Sequence, residues 1–341
     1  PLELSIPIMV TFSLFLYLKF GEPYDYLESK VSRDMSKVLS YLPKTVTHLD
    51  LSELCYEEVG DSWRDMVYMY QAIPKTVKTL KHGSYRNLLT RNFDTVPNLQ
   101  QFVDFLSGIP RNITELNISE NKFDIRDLKQ LTALFESIPR HIESLDMGDN
   151  DILHLSRENF AEILKTISPN VKKLRLIDRV FHYHDFASIL RYYAHLPQHI
   201  QILSFSDSKY LKLGIHFYIN VLRVLPAHIH TLDFSNSSIP DYDITQIENI
   251  FREIPHTITK ILFRRNYFIN QDLSHIARIF SIIPPTVREI DISENGLDKL
   301  KYSSLSRFIY SLSDRVYDFG NEKVTRTHDG RFLPYYPRPD S

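Results

Sequence analysis

A short phrase of apolar and polar positions recurs along most of the chain. In most copies an Ile or Leu precedes a proline, and aliphatic residues follow at the third, sixth and eighth positions after it. The copies begin at Pro43, Pro74, Pro110, Pro139, Pro169, Pro197, Pro226, Pro255 and Pro284, and a degenerate tenth copy starts at Ser313. A fixed period of about 30 residues indicates a repeat architecture.

Each copy predicts one short strand followed by one helix. The aliphatic residues at the sixth and eighth positions alternate, as they do on one face of a strand. Between this strand and the next proline, apolar residues recur at helical spacing, for example Leu128, Leu131 and Phe135. The proline restricts the residue before it and has no N–H group, so it ends the helix and the chain turns into the next strand.

The spacing within a copy matches a known repeat consensus. Ile113, Leu116, Ile118, Asn121 and Phe123 reproduce the L-x-x-L-x-L-x-x-N-x-L pattern of leucine-rich repeats. The asparagine is expected to turn inward and bond backbone groups where the chain leaves the strand. Arg179, Ser208 and Ser237 replace it in other copies, and there the sequence predicts less well fastened turns.

Leu42 to Asn321 resembles the ribonuclease-inhibitor type of leucine-rich repeat, and the phrases SIPRHIESLDMGDN and EIPHTITKILFRRN resemble the leucine-rich-repeat effectors that Legionella delivers by type IV secretion. The resemblance implies an α/β leucine-rich-repeat solenoid (horseshoe) of about ten repeats of ~29 residues. Its parallel sheet would be concave and its helices convex. It also implies a non-enzymatic module that binds a host protein or another bacterial effector and acts by masking or scaffolding.

Three segments are predicted. Residues 1–42 form an N-terminal cap, because apolar residues alternate from Leu2 to Leu18 as in a strand and a helix-like stretch follows near Asp34. Such a cap would cover the exposed edge of the first repeat. Residues 43–322 form the solenoid, and the polar residues 323–341 form a tail or a loosely docked strap.

Composition and charge limit the classes of partner that the chain is expected to bind. The net charge of −2 offers no uniform field for nucleic acid. The apolar stretch from Ile6 to Leu18 is shorter than the roughly 20 residues that span a bilayer. The single cysteine, Cys55, cannot form an internal disulfide, which favours a reducing intracellular compartment, such as the host cytoplasm for an effector. We therefore expect a monomer that binds protein, with no nucleic-acid partner and no membrane span.

The search for catalytic chemistry yields one alternative. His182 and His184 have alternating spacing that could place two imidazoles on one side of an extended segment and bind a metal ion. A surface histidine pair is the simpler interpretation, and we predict no metal and no cofactor. Cys55 is interpreted as a small apolar filler. No phosphate-binding loop or nucleophile elbow is present, so the chain is not predicted to be an enzyme.

The remaining candidate is the concave wall. Parallel strands about 4.8 Å apart would present the positions around the sixth-position aliphatic residue as a grid of side chains. The predicted partner-binding residues are His48, Asp50, Lys81, Glu115, Asn117, Asp146, Lys173, Arg175, Ile177, Ile202, Asp233, Lys260, Leu262, Arg264, Glu289 and Asp291. This mosaic of charges and apolar spots favours electrostatic register with one partner. Reversing Arg175 and Lys173 to Glu is expected to weaken binding and leave thermal stability nearly unchanged.

Overall fold

A computed structural model describes the fold of most of the repeats. The described residues are 10–11, 36, 39–40, 42–51, 70–82, 103, 106–119, 128–150, 152, 155–177, 190, 192–206, 215–237, 243–312, 315–319, 323–326 and 332–334. They belong to two compact units, residues 1–180 and 181–341. Cys55, Arg179, His182, His184 and Ser208 lie outside the described residues, as does most of the predicted cap.

The first unit contains parallel strands that pair in chain order. They are β1 (Val10–Thr11), β2 (His48–Leu51), β3 (Thr79–His82), β4 (Glu115–Asn117), β5 (Ser144–Asp146) and β6 (Lys173–Arg175). Each strand pairs with the next in parallel. The register aligns Leu80 with Leu116, Leu116 with Leu145, and Leu145 with Leu174, so one buried leucine per repeat lies above another.

The second unit begins with parallel strands and ends with an antiparallel addition. Its strands are β7 (Ile202–Ser204), β8 (Thr231–Asp233), β9 (Lys260–Leu262), β10 (Glu289–Asp291), β11 (Val316–Asp318), β12 (Lys323–Arg326) and β13 (Phe332–Pro334). Strands β7 to β11 pair in parallel, whereas β12 and β13 pair antiparallel. The segment interpreted from sequence as a tail or strap thus contains two strands of the sheet.

Helices connect the strands at the places that the apolar spacing predicts. They are α1 (Leu128–Glu136), α2 (Arg157–Thr166), α3 (Ile215–Val224), α4 (Ile244–Arg252), α5 (Leu273–Ile282) and α6 (Tyr302–Ser311). Short 3₁₀ turns occupy Phe268–Asn270 and Leu297–Lys299. The side chains of Asp243 and Asp272 accept hydrogen bonds from N–H groups in the first turns of α4 and α5, which satisfies donors that the helix leaves unpaired.

A hydrogen-bonded turn joins each helix to the next strand. The proline carbonyl accepts a hydrogen bond from the N–H three residues later, at 3.0 Å for Val46 and Val77 and at 2.9 Å for Ile113. The same bond recurs after Pro226, Pro255 and Pro284. Before β6 the Ser168 carbonyl takes the place of the proline carbonyl and accepts the bond from Val171. In the other copies the repeated proline marks the start of the strand as well as the end of the helix.

The core of each unit lies between strands and helices. In the second unit, one phenylalanine per repeat stacks on the next: Phe205 lies 5.2 Å from Phe234, and Phe234 lies 5.9 Å from Phe263, between ring centroids. Phe280 of α5 extends the stack, with its ring centroid 5.5 Å from that of Phe263. Large rings at one repeat position fill the space that a single repeat could not close.

Buried asparagines fasten the chain where it leaves several of the strands. Asn295 donates to the Phe263 carbonyl of the preceding repeat at 2.8 Å, and Asn266 donates to the Phe234 carbonyl at 3.0 Å. At Ser237, where the sequence predicts a less well fastened turn, the hydroxyl donates to the equivalent carbonyl, that of Phe205, at 3.2 Å. Serine is shorter than asparagine, but here it reaches the same acceptor.

Within the described residues, no helix has the length and apolar character that crossing a membrane requires.

Candidate protein-interaction surface

The register of the strands arranges the predicted site residues in columns. The first column contains His48, Glu115 and Lys173 in the first unit, and Ile202, Lys260 and Glu289 in the second. The middle column contains Asp50, Lys81, Asn117, Asp146 and Arg175 in the first unit, and Ser204, Asp233, Leu262 and Asp291 in the second. We call the solvent-facing side formed by these columns the strand face of each unit.

Most polar side chains of the middle column have a structural task. Asn117 and Asp146 accept hydrogen bonds from the backbone N–H groups of Ser119 and Gly148, each two residues further on. Asp233 and Asp291 accept equivalent bonds from the N–H groups of residues 235 and 293, at 2.8 and 3.0 Å. These are Asx turns, which close the chain as it leaves the strand. The Asp and Asn pattern of this column is therefore explained by local structure.

Arg175 is buried although the sequence predicted it to contact a partner. Its side chain lies against β5, where Nη1 donates to Asp146 Oδ1 at 2.9 Å, and the residue is only 5% exposed. Gly148 makes room for it, since a Cβ atom there would collide with the Arg175 guanidinium and with the Ile177 carbonyl oxygen. Ile177 is also buried. Neither side chain offers appreciable surface to a partner.

The second unit buries three further members of the predicted set. Asp291 is 1% exposed, and its carboxylate accepts hydrogen bonds from the Ser293 hydroxyl at 2.7 Å and from Arg264 Nε at 2.6 Å. Asp233 and Leu262 are buried beside it. These three side chains are buried beneath the strand face, so only their more exposed neighbours are accessible to a partner.

Three ion pairs between neighbouring repeats lie on the last two repeat strands before β11 and in the turns that directly follow them. Lys260 bonds Glu289 at 2.9 Å. Arg264 bonds Asp291 at 2.6 Å, and Arg265 bonds Glu294 at 2.7 Å. We call Lys260, Glu289, Arg264, Arg265 and Glu294 the paired-charge patch.

Arg264 is the most exposed cation of this patch, with 47% of its side chain in solvent. Burial of the remainder lowers the pKa of Arg264, but the carboxylates of Asp291, Asp233 and Glu294 outweigh it and raise the pKa above its ordinary value. The guanidinium therefore stays charged and remains directed at the buried carboxylate.

Tyr267 is a surface residue that the sequence reasoning missed. It is 61% exposed and is the large hydrophobic residue that stands out in solvent among the described residues. Its backbone is left-handed, with φ of 56°, a conformation that is uncommon for bulky residues. The clue in the sequence was that Tyr267 lies between Asn266, which fastens the turn, and Phe268, which enters the core.

The strand face of the first unit is accessible mainly along its first column. Glu115 is exposed and accepts a hydrogen bond from Thr79 Oγ1 at 2.9 Å. The His48 ring shares a 2.8 Å contact with Thr47 Oγ1, and Lys173 is half-buried. Lys81, Asn117 and Asp146 have intermediate exposure. The side chain of Asp50 lies outside the described part of the chain.

The described residues contain no cluster of three or more His, Cys, Asp or Glu side chains able to hold a metal ion. The metal hypothesis rests on His182 and His184, both outside that part of the chain, so it stays a prediction.

Comparisons with known proteins identify the fold. No protein-family model matches the chain, and no curated protein matches it. The crystal structure of the leucine-rich repeat-containing protein LegL7 from Legionella pneumophila is similar, with a TM-score of 0.59 over 88% of this chain and 89% of that chain, at 18% sequence identity. The repeats predicted from the prolines are thus confirmed, and the protein has the α/β fold of leucine-rich-repeat solenoids.

Proposed function

We propose that the protein is a non-enzymatic module that binds another protein through its strand face. The observation that carries this proposal is the paired-charge patch of the second unit together with the exposed ring of Tyr267. Tyrosine and arginine are the residue types that most often dominate protein interfaces. An exposed, left-handed tyrosine serves no core and invites a functional explanation.

The paired-charge patch is suited to recognition because its side chains are already ordered. Immobilising a long, free side chain at an interface costs roughly 0.5–1.5 kcal/mol. Lys260, Arg264 and Arg265 are each held by a carboxylate before any partner arrives. A partner that offers alternating charges can join these pairs without ordering them first, so specificity follows from matching a fixed pattern.

The partner that we propose is a host protein or another bacterial effector, and the protein acts on it by masking or scaffolding. The sequence phrases that resemble Legionella secreted effectors support this assignment, and the fold likeness to a Legionella leucine-rich-repeat protein agrees with it. The proposed site of action is the host cytoplasm.

The experiment is a capture followed by an affinity measurement. The purified protein is used to capture partners from host-cell lysate and from the proteome of its source organism, and the affinity of the captured protein is then measured for two variants. Tyr267→Asn removes the ring and keeps a residue type that tolerates left-handed backbone. Arg278→Ala, on the exposed side of α5, is the control.

We expect Tyr267→Asn to weaken binding by about tenfold or more, as truncation of an interface anchor does. Arg278→Ala should bind as the parent chain does. Equal affinity of the parent chain and Tyr267→Asn, or loss confined to Arg278→Ala, would place the interface away from Tyr267 and the paired-charge patch and refute the proposal.

A further inference from the structure

The turns that lead into the strands carry a row of basic residues in the first unit. The residue directly after the repeat proline is Lys44, Lys75, Arg111 and Arg140 in four successive repeats, and all four are exposed. We call these four residues the basic row. In the second unit the same position holds Gln198, Ala227, His256 and Pro285, so the repeat fold itself does not require a cation there.

The backbone fixes where each of these cations begins. Each lies in a turn that is closed by a hydrogen bond from the N–H of the third residue after the proline to the proline carbonyl, with lengths between 2.9 and 3.0 Å. The residue that donates this N–H is buried in every case: Val46, Val77, Ile113 and Ile142. The Cα atoms of the basic row are therefore anchored to the core through two residues of chain.

Side chains also fasten these turns to one another. Asn112 Nδ2 donates to the carbonyl of Pro74 at 3.2 Å and to that of Val77 at 2.7 Å, which joins the third turn to the second. His141 forms a hydrogen bond to the backbone of Pro110, and since proline has no N–H the imidazole is the donor. This bond joins the fourth turn to the third.

The backbone ladder sets the spacing of the basic row. Lys78 N–H donates to the Thr47 carbonyl at 2.7 Å, Thr114 N–H to the Lys78 carbonyl at 2.9 Å, and Glu143 N–H to the Thr114 carbonyl at 2.8 Å. The turns therefore follow one another at the distance between neighbouring strands, about 4.8 Å. Four cations then extend over about 14 Å in one line.

The charges of the basic row are not neutralised within the described part of the chain. None of the four residues forms an ion pair there, in contrast to the cations of the paired-charge patch. A second line of side chains runs beside the basic row, three residues further along each turn. It contains the exposed cations Lys78 and Lys172 and the exposed acidic residue Glu143. The row is thus a locally positive strip on a chain whose net charge is −2.

We propose that the basic row is a second docking surface, which binds an extended acidic segment of a partner protein. Side chains on one face of an extended peptide are about 6.7 Å apart, so three acidic residues at alternating positions cover the length of the row. Flexible lysine and arginine stems absorb the difference between the two spacings. The surface is distinct from the strand face and does not depend on the function proposed above.

The geometry favours a peptide over other polyanions. A lipid surface selects a broad basic face, commonly with apolar side chains that insert, and the basic row is one residue wide. Binding of single-stranded nucleic acid relies on aromatic rings on which bases stack, and the only large hydrophobic residue exposed among the described residues is Tyr267, in the other unit. The basic row presents a line of positive charges, which an extended acidic peptide complements.

The test uses a fluorescent peptide of four Glu-Ser repeats, and the same peptide with Gln in place of Glu, in anisotropy titrations of the full chain at low salt. One variant replaces Lys44, Lys75, Arg111 and Arg140 by Gln. The matched control replaces Arg288, Lys299, Lys301 and Arg307 by Gln; these four exposed cations of the second unit carry the same total charge. Thermal unfolding of both variants verifies that they are folded.

We expect the acidic peptide to bind the parent chain and the control variant, and the basic-row variant to bind about tenfold more weakly or worse. Binding should disappear near 1 M salt, where the screening length is about 3 Å. Equal loss in both variants, equal binding of the Gln peptide, or no binding by the parent chain would overturn the proposal. Tighter binding to single-stranded DNA or to phosphatidylserine vesicles than to the peptide would overturn the choice of partner.

Discussion

The burial of Arg175 leads to a prediction that separates structural from accessible residues on the strand face. The sequence alone suggested that Arg175→Glu and Lys173→Glu would leave stability unchanged. In the structure the Arg175 guanidinium donates to Asp146 at 2.9 Å and its side chain is 6% exposed, whereas the Asp146 side chain is 16% exposed. Glutamate at position 175 would place a second carboxylate beside the first.

The expected cost is large because Arg175 is buried and Asp146 is mostly buried. Breaking a buried ion pair by removing one partner costs about 3–5 kcal/mol, and like charge adds to this. Lys173 is half-buried in the first column, where a single charge contributes roughly 0–1 kcal/mol. We therefore expect Arg175→Glu to lower the free energy of unfolding by at least about 3 kcal/mol, and Lys173→Glu by less than about 1 kcal/mol.

Urea unfolding of the parent chain and the two variants measures both values. A double variant, Asp146→Asn with Arg175→Gln, tests the cause, because Asn keeps the acceptor for the Gly148 N–H, as Asn117 does for Ser119. It should be more stable than Arg175→Glu by about 2 kcal/mol or more, since it leaves no unpaired buried charge. An Arg175→Glu chain within about 1 kcal/mol of the parent would show that the Arg175–Asp146 pair behaves as an exposed pair does, contrary to this prediction.

Three further predictions concern Gly148, Asn266 and His141. Gly148→Ala should cost about 1–3 kcal/mol in urea unfolding, because its Cβ atom would displace the Arg175 guanidinium; an unchanged midpoint would contradict this contact. Asn266→Ala should cost about 2–4 kcal/mol, since a buried side chain that bonds three backbone groups is lost, and Asn266→Ser should recover part of that loss. His141 has a pKa below its ordinary value of 6.5, because burial disfavours the cation and the Arg111 charge repels it, although its bond to Pro110 opposes both. Its folded-state pKa lies below the unfolded one, so stability is present above pH 6.5 and is lost as the pH falls below it. His141→Asn, which copies the residue at 112, should show a smaller fall of the melting temperature between pH 7.5 and 5 than the parent chain, and an equal fall would exclude this role.

The strands and their alignment could be predicted from sequence because few physical choices were open. The aliphatic residue at the sixth position after most of the repeat prolines must point inward, and a shift of one residue would turn it to solvent. The observed register pairs Leu116 with Leu145 and Ile261 with Ile290, as the repeat spacing requires. The helix positions could be predicted for a similar reason, because the apolar side of each helix must pack against the strand that precedes it.

The candidate site could be predicted only in part, because exposure depends on neighbouring repeats. An aspartate in the middle column has the same spacing whether it meets solvent or accepts the N–H two residues on, as Asp146 and Asp291 do. Arg175 lies under cover only because position 148 is a glycine, 27 residues away in the chain. Alternating positions along a strand predict to which side of the sheet a side chain points. They do not predict whether a residue of a neighbouring repeat covers it.

Tyr267 shows the reverse error. Aromatic residues in a repeat protein are interpreted as core, and Phe263 and Phe268 on either side of it are indeed buried. At position 267 the backbone is left-handed and the ring is exposed, and no apolar pattern in the sequence encodes that backbone angle.

Site-specific photo-crosslinking measures whether a partner binds through the strand face. A photoreactive residue is placed at position 289 on the strand face or at position 267 in the turn after β9, and at 274 or 278 on the exposed side of α5, in chains that carry the intact basic row. Binding through the strand face predicts that one common partner is linked from 267 and 289 and is not linked from 274 and 278. Linkage of that partner from 274 and 278, with none from 267 and 289, would contradict it.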